Sequence, residues 1–150
     1  MTQKDNKFEE IILERRMVTR VTKWGRRMSF RAVVLVWNKA WKIWIWVWKW
    51  QDVVSAVKKA TNEAYKNVVD VPVVWEASTV PYARTFKYKS AIVKILPAAP
   101  GTGIKAGSSI RRVLELAWYQ NILSKRVWTS NVLNNALATI KLLQTYKVKR

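Results

Sequence analysis

The sequence predicts an α+β protein built as two compact units. Three observations carry that prediction. Apolar runs rich in β-branched residues recur in both halves, at the length and period of strands. Helical stripes interrupt them, one in the first half and two in the second. A junction at Glu76 to Pro81, shortly after Pro72, separates the two patterns. The expected units are 8–74 and 76–147. Each is about 70 residues, near the lower limit for an independent core, so isolated halves are expected to be marginal.

The elements follow in order. From Phe8 to Lys23 the apolar spacing suits either period, and the β-branched Val18–Thr22 region tips it to a strand. Lys23-Trp24-Gly25-Arg26-Arg27 reads as a short basic loop, and Ser29–Trp37 as a buried strand. Asn38-Lys39-Ala40 makes the next turn. In Lys42–Trp50, Ile43, Ile45 and Val47 alternate with Trp44, Trp46 and Trp48, giving a strand with two apolar faces. Asp52 is placed to cap a helix reaching about Asn67, with Val53, Val57, Ala60 and Ala64 as its buried stripe. Asp70–Val74 is a short edge strand. Beyond the junction, Thr79–Tyr82 and Tyr88–Leu96 are strand-like, and Asn121–Val127 is a further short segment.

Leu96 to Ala117 is the most marked stretch. It holds Pro97 and Pro100 and three of the four glycines, Gly101, Gly103 and Gly107. Ser108 or Ser109 then offers a cap to a helix whose Ile110, Val113, Leu114 and Ala117 share a face. Lys105 before the helix and Arg111 and Arg112 within it suit an anion at the helix N-terminus. The spacing Gly103 to Gly107 fits neither a Walker loop nor a dinucleotide fingerprint. Ser130 is expected to cap a last helix with Leu133, Ala136, Leu137, Ile140 and Leu143 inside, and Lys147–Arg150 make a cationic tail.

Charge bounds the function. Against 28 Lys and Arg stand 9 Asp and Glu, a net +19 in 150 residues. That excess calls for a polyanion: nucleic acid first, an anionic membrane surface second. With no Cys and no His, thiolate and imidazole catalysis and the common zinc sites drop out. Glu76 and Glu115 are the sole acids of the second half, no basis for a carboxylate pair. The expectation is a binding protein, not an enzyme, with no cofactor and no metal. No apolar run reaches spanning length and no segment reads as a signal peptide. The tryptophan-rich strand keeps two alternatives open, a cationic membrane-surface protein and a general single-strand RNA binder.

Pro97–Gly103, Ala106-Gly107, Arg111, Val113-Leu114-Glu115 and Ala117 resemble the central signature of the bacterial-type small-subunit ribosomal protein S-five family. The likeness continues through Lys125, Thr129-Ser130-Asn131, Asn134 and Ala138-Thr139. Upstream, Arg20-Val21, Lys23, Gly25-Arg26 and Ser29-Phe30 match the family's basic loop. The resemblance implies an N-terminal double-stranded-RNA-binding-like domain and a small βαβ-type C-terminal domain. It implies a structural constituent of the small ribosomal subunit, near the mRNA entrance, that supports decoding accuracy. Its partners would be small-subunit rRNA, neighbouring ribosomal proteins and mRNA at the entrance, with no membrane, in a bacterial cytoplasm or an organelle interior. Lys23, Gly25, Arg26 and Ser29 fall on the family's rRNA-contacting loop, with Arg27 inside it, and Arg111 on its helix arginine. Arg31, Lys105, Gly107, Ser108, Arg112, Lys125 and Arg126 complete the candidate RNA-binding set on charge and position.

All ten tryptophans, at 24, 37, 41, 44, 46, 48, 50, 75, 118 and 128, stand where that family typically has glycine or another small turn residue. Tyr82 stands where histidine is usual and Lys89 where glycine is common. Either the core has re-packed around tryptophan, or one glycine codon, a single base from that of tryptophan, is systematically misread. Misreading predicts positive φ at several of Trp24, Trp41, Trp118 and Trp128.

Overall fold

A computed structural model describes residues 8–38, 42–71 and 78–146. Strand β1 (Phe8–Thr22) pairs antiparallel with β2 (Gly25–Asn38) along its whole length. Then come β3 (Lys42–Trp50), α1 (Val53–Lys66) and β4 (Val69–Asp70), giving a sheet of order β1-β2-β3-β4. A second sheet, β5-β6-β8-β7, comprises β5 (Arg84–Tyr88), β6 (Ala91–Pro97), β7 (Ile104–Lys105) and β8 (Ile122–Arg126). Its helices are α2 (Ser108–Leu116) and α3 (Val132–Gln144). The chain divides into two compact units. The first contains β1, β2, α1 and β3 from Trp44 on; the second takes Lys42–Ile43 and everything from Val69.

In the first unit Ala32, Val34 and Val36 of β2 meet Ala56, Ala60 and Ala64 of α1, with Trp44, Trp46 and Trp48 packed against them. Asp52 accepts from the Ser55 N–H at 3.1 Å and starts the helix. The buried stripe is Ala56, Ala60, Thr61 and Ala64; Val53 and Val57, expected inside, are half-buried. Three indoles on the strand leave room for little beyond a methyl on the helix. The indole N–H groups of Trp44 and Trp48 are buried without a partner, a cost of about 1–3 kcal/mol each. At the root of β1 the Glu10 carboxylate accepts from Thr61 Oγ1 (2.9 Å) and Tyr65 Oη (3.0 Å). Burial, then the bond and charge of Glu10, push the Tyr65 hydroxyl up to about 12. Between Ile12 and Glu14 the pairing shifts, leaving Leu13 as a β-bulge.

In the second unit α3 packs on β5 and β6, and α2 on α3 and β7. Ala91, Val93, Ile95 and Ile122 of the sheet are fully buried, as are Ile110, Val113 and Leu114 of α2 and Ala136, Ile140 and Leu143 of α3. Tyr82 and Tyr146 meet edge-on, and Tyr146 Oη donates to the Tyr82 carbonyl at 3.2 Å.

Several expectations are corrected. The basic loop shrinks to a two-residue turn, Lys23-Trp24, so Arg26 and Arg27 lie in β2. Thr79–Tyr82 is no strand: Thr79 makes one bridge, and Pro81 has no N–H to extend it. Tyr88–Leu96 is not one strand but a hairpin turning at Lys89-Ser90, with Lys89 at φ 51°. Gly107, not Ser108 or Ser109, is the N-cap of α2, and Asn131, not Ser130, caps α3 through its side chain on the Asn134 N–H. Leu133 and Leu137 are half-buried, while Asn135, Ala138, Thr139 and Leu142 join the buried face of α3. The short strand begins at Val69 and ends at Asp70, with Val71 buried beyond its end; residues 72–74 of its expected span, the Lys39-Ala40 turn and the Lys147–Arg150 tail lie outside the described residues.

Of the turn tryptophans, Trp118 alone among the described residues has positive φ, at 62°. It follows α2 as the left-handed residue of a Schellman ending: the Tyr119 N–H bonds the Leu114 carbonyl (3.1 Å) and the Trp118 N–H that of Glu115 (3.2 Å). Glycine is the usual occupant there. Trp24 makes no such demand, because its turn places the positive φ on Gly25, at 123°. Trp128 has ordinary φ as well, and Trp41 lies outside the described residues.

Candidate nucleic-acid interface

The long β1–β2 hairpin forms an arm whose register sorts its side chains. Arg20 lies opposite Arg27, Val18 opposite Ser29, and Arg16 opposite Arg31, so these six share one face. Arginine opposite arginine is locally destabilising, by about 0.2–1 kcal/mol per pair. Within hydrogen-bond reach on the arm, Glu14 pairs with Arg16 at 2.7 Å. Lys23 extends over the Trp24 ring at 5.1 Å to its centroid, at an exposed tip. Arg26 points to the opposite face, alongside Val21.

In the second unit the glycine loop is held from below. The Asn121 side-chain carbonyl accepts from the Gly101 N–H (2.9 Å) and the Gly103 N–H (3.3 Å), with φ of 88° and 72° at the two glycines. Those values belong to glycine's region, which explains both positions. The loop delivers β7 parallel to β8 and then α2, whose first turn has no side-chain cap. At this uncapped helix start Ser108, Arg111 and Arg112 are exposed. Arg111 is tied to Glu115 at 2.8 Å.

Register also gathers a lysine face. Lys125 lies opposite Lys94, Lys94 opposite Thr85, Lys87 opposite Ile92, and Lys105 beside Leu123. Lys87, Lys94, Lys105 and Lys125 thus project from the sheet face away from the buried Val93 and Ile95, and all four are exposed. Arg126 sits opposite Val93 and points the other way, at the strand end. The structure therefore separates Lys105 from Arg111 and Arg112, which sit on the helix, and joins it to Lys125.

Arg16 and Arg20, Lys87 and Lys94 belong to these surfaces although the sequence reading left them out. Strand register was the missing signal; the arm turn at Lys23-Trp24 fixes it for the arginines. Among the described residues no group of His, Cys, Asp and Glu could hold a metal, and no helix is long and apolar enough to cross a membrane.

Comparison with known proteins bears on this arrangement. Residues 8–72 match the model of ribosomal protein S5, N-terminal domain, and residues 86–149 that of its C-terminal domain. The chain belongs to the ribosomal protein S5 family. It is 40% identical over 146 residues to small ribosomal subunit protein uS5 of Synechococcus elongatus, covering 97% of this chain and 81% of that protein. Against uS5 of Thermotoga neapolitana it is 44% identical over 133 residues, 89% of this chain and 74% of the other. Against uS5c of Spinacia oleracea it is 44% identical over 140 residues, 93% of this chain; the chain spans 45% of that longer protein. The S5 family is structural and non-enzymatic, in keeping with the absence of cysteine and histidine. The relatives named here are ribosomal proteins of a plastid and of bacteria.

Proposed function

We propose that this chain is a structural constituent of the small ribosomal subunit that binds rRNA near the mRNA entrance and supports decoding accuracy. The observation that carries the reading is the arginine face of the arm. Arg20 against Arg27 and Arg16 against Arg31 oppose like charges across a strand pair, an arrangement stabilised when phosphates lie over it. The second unit contributes the Lys105–Lys125 face and the Gly107–Arg112 helix start. Gly25, Ser29 and Arg126 complete the candidate contacts, with Lys23 and Arg26 at the tip. The two domains are 8–74 and 76–147. Neighbouring ribosomal proteins are further partners, as is mRNA at the entrance.

The test is a salt titration of binding to a small-subunit rRNA fragment. Counterion release makes log affinity fall linearly with log salt. The variant Arg20→Ala with Arg27→Ala should lower the slope by about two, one per lost phosphate contact, at unchanged fold. A flat titration of the unaltered chain overturns the RNA reading. Salt-insensitive partition into neutral vesicles would support the membrane-surface alternative instead.

A further inference from the structure

The arm has a second face, and it is apolar. Met17 lies opposite Phe30, Thr19 opposite Met28, and Val21 opposite Arg26. This face continues the row Ala32, Val34 and Val36 that α1 covers. Beyond α1 this face is exposed among the described residues: Met17, Val21 and Met28 are 59%, 72% and 58% exposed. Such side chains on an otherwise cationic arm form an exposed apolar patch of the kind that marks a contact surface. Arg15 and Arg26 stand at its two ends.

We infer that this face docks on a neighbouring protein whose contact surface is apolar at its centre and acidic at its rim, while the arginine face holds rRNA. The inference rests on the function proposed above and names the partner of the arm's other side. Methionine and arginine are enriched in protein interfaces, with apolar residues central and charges peripheral, the pattern seen here. Arg15 at its inner end selects acidic rim residues by charge complementarity. RNA is the poorer occupant. The exposed centre of this face, Met17, Thr19, Val21 and Met28, offers no ring and no charge. Phe30 is half-buried and Arg15 and Arg26 stand only at the ends, whereas the opposite face presents four arginines. The arm would then lie between rRNA and protein, each face matched to one.

The experiment uses the full chain assembled into small ribosomal subunits. A photoreactive benzoylphenylalanine replaces Met28 in one sample and Ser29, its neighbour on the other face, in a second. After irradiation, the Met28 probe should give a slower-migrating species that survives ribonuclease, and the Ser29 probe one that ribonuclease removes. A ribonuclease-sensitive adduct from Met28, or no adduct from it while Ser29 reacts, overturns the inference. Both probes are exposed enough on the arm to leave the core untouched. Failure of the unaltered chain to sediment with the subunit overturns the functional reading, and the inference with it.

Discussion

The β1–β2 arm and the second sheet both collect cations on one face, by different means. The arm uses arginine, at 16, 20, 27 and 31, on a ribbon whose outer part is open on both sides. The sheet uses lysine, at 87, 94, 105 and 125, and backs it with two helices over a closed core. Guanidinium groups grip phosphate oxygens in pairs with fixed geometry, while ammonium groups act as hydrated point charges. The arm is thus suited to particular phosphates, and the sheet to a general attraction. The more exacting geometry sits where the backbone has least support.

That contrast can be broken first through the core. Ile122→Ala removes a fully buried side chain beneath the second sheet and should cost about 2–5 kcal/mol in chemical denaturation. Val21→Ala on the arm, 72% exposed, should change stability by less than about 0.5 kcal/mol. Equal losses would show that the arm is as tightly packed as the sheet.

Next comes the pair of tryptophan turns. Trp118→Gly should stabilise the protein by about 1–2 kcal/mol, because it relieves a left-handed residue. Trp24→Gly should bring no gain, since that turn already uses Gly25. The same measurement sharpens the question of origin when joined to an intact mass. Tryptophan at all ten positions gives 17.5 kDa, and a misread glycine codon gives a chain lighter by ten tryptophan-to-glycine differences.

The smallest expected effect is alkaline. Tyr146, pushed up to about 12 chiefly by burial, and Tyr119, pushed higher still by burial, belong to the second unit; Tyr65 at about 12 belongs to the first. A folded-state value above the unfolded value of about 10 means stability is fully present below pH 10 and declines as pH rises through the folded values. A thermal melt repeated from pH 9 to 12 should show a flat region and then a fall. Tyr146→Phe should reduce that fall.

Period and composition made most elements legible: the long strands, the Asp52-capped α1 and the buried face of α2 stand where apolar spacing put them. Helix α3 is rotated enough to bury Asn135 and Thr139 and leave Leu133 and Leu137 half-buried. Boundaries went wrong where a turn uses residues that do not look like turn formers. Lys89-Ser90 hid a hairpin because lysine rarely takes positive φ. Asn131 displaced Ser130 because both are good caps one residue apart. Of the candidate site, the charges were readable but their grouping was not. Lys105 reads as part of an anion pocket with Arg111 until β7 pairs with β8 and turns it onto the sheet face. Of the four arm arginines, Arg16 escapes notice and Arg20 is read only as part of the basic-loop resemblance, not as a contact, because β1 carries no simple alternation.

The bulge at Leu13 is why. Before it, the even-numbered Glu10 and Ile12 look toward α1; after it, the odd-numbered Met17, Thr19 and Val21 do. One inserted residue acts as a frameshift in three dimensions. Deleting Leu13 while keeping the turn would remove the bulge and leave the pairs beyond it in place, because β2 runs without a shift there and Arg20 stays opposite Arg27. The bulge thus reconciles one extra residue in β1 with the unbroken alternation of β2, and so keeps arginines and apolar residues of the two strands on matching sides.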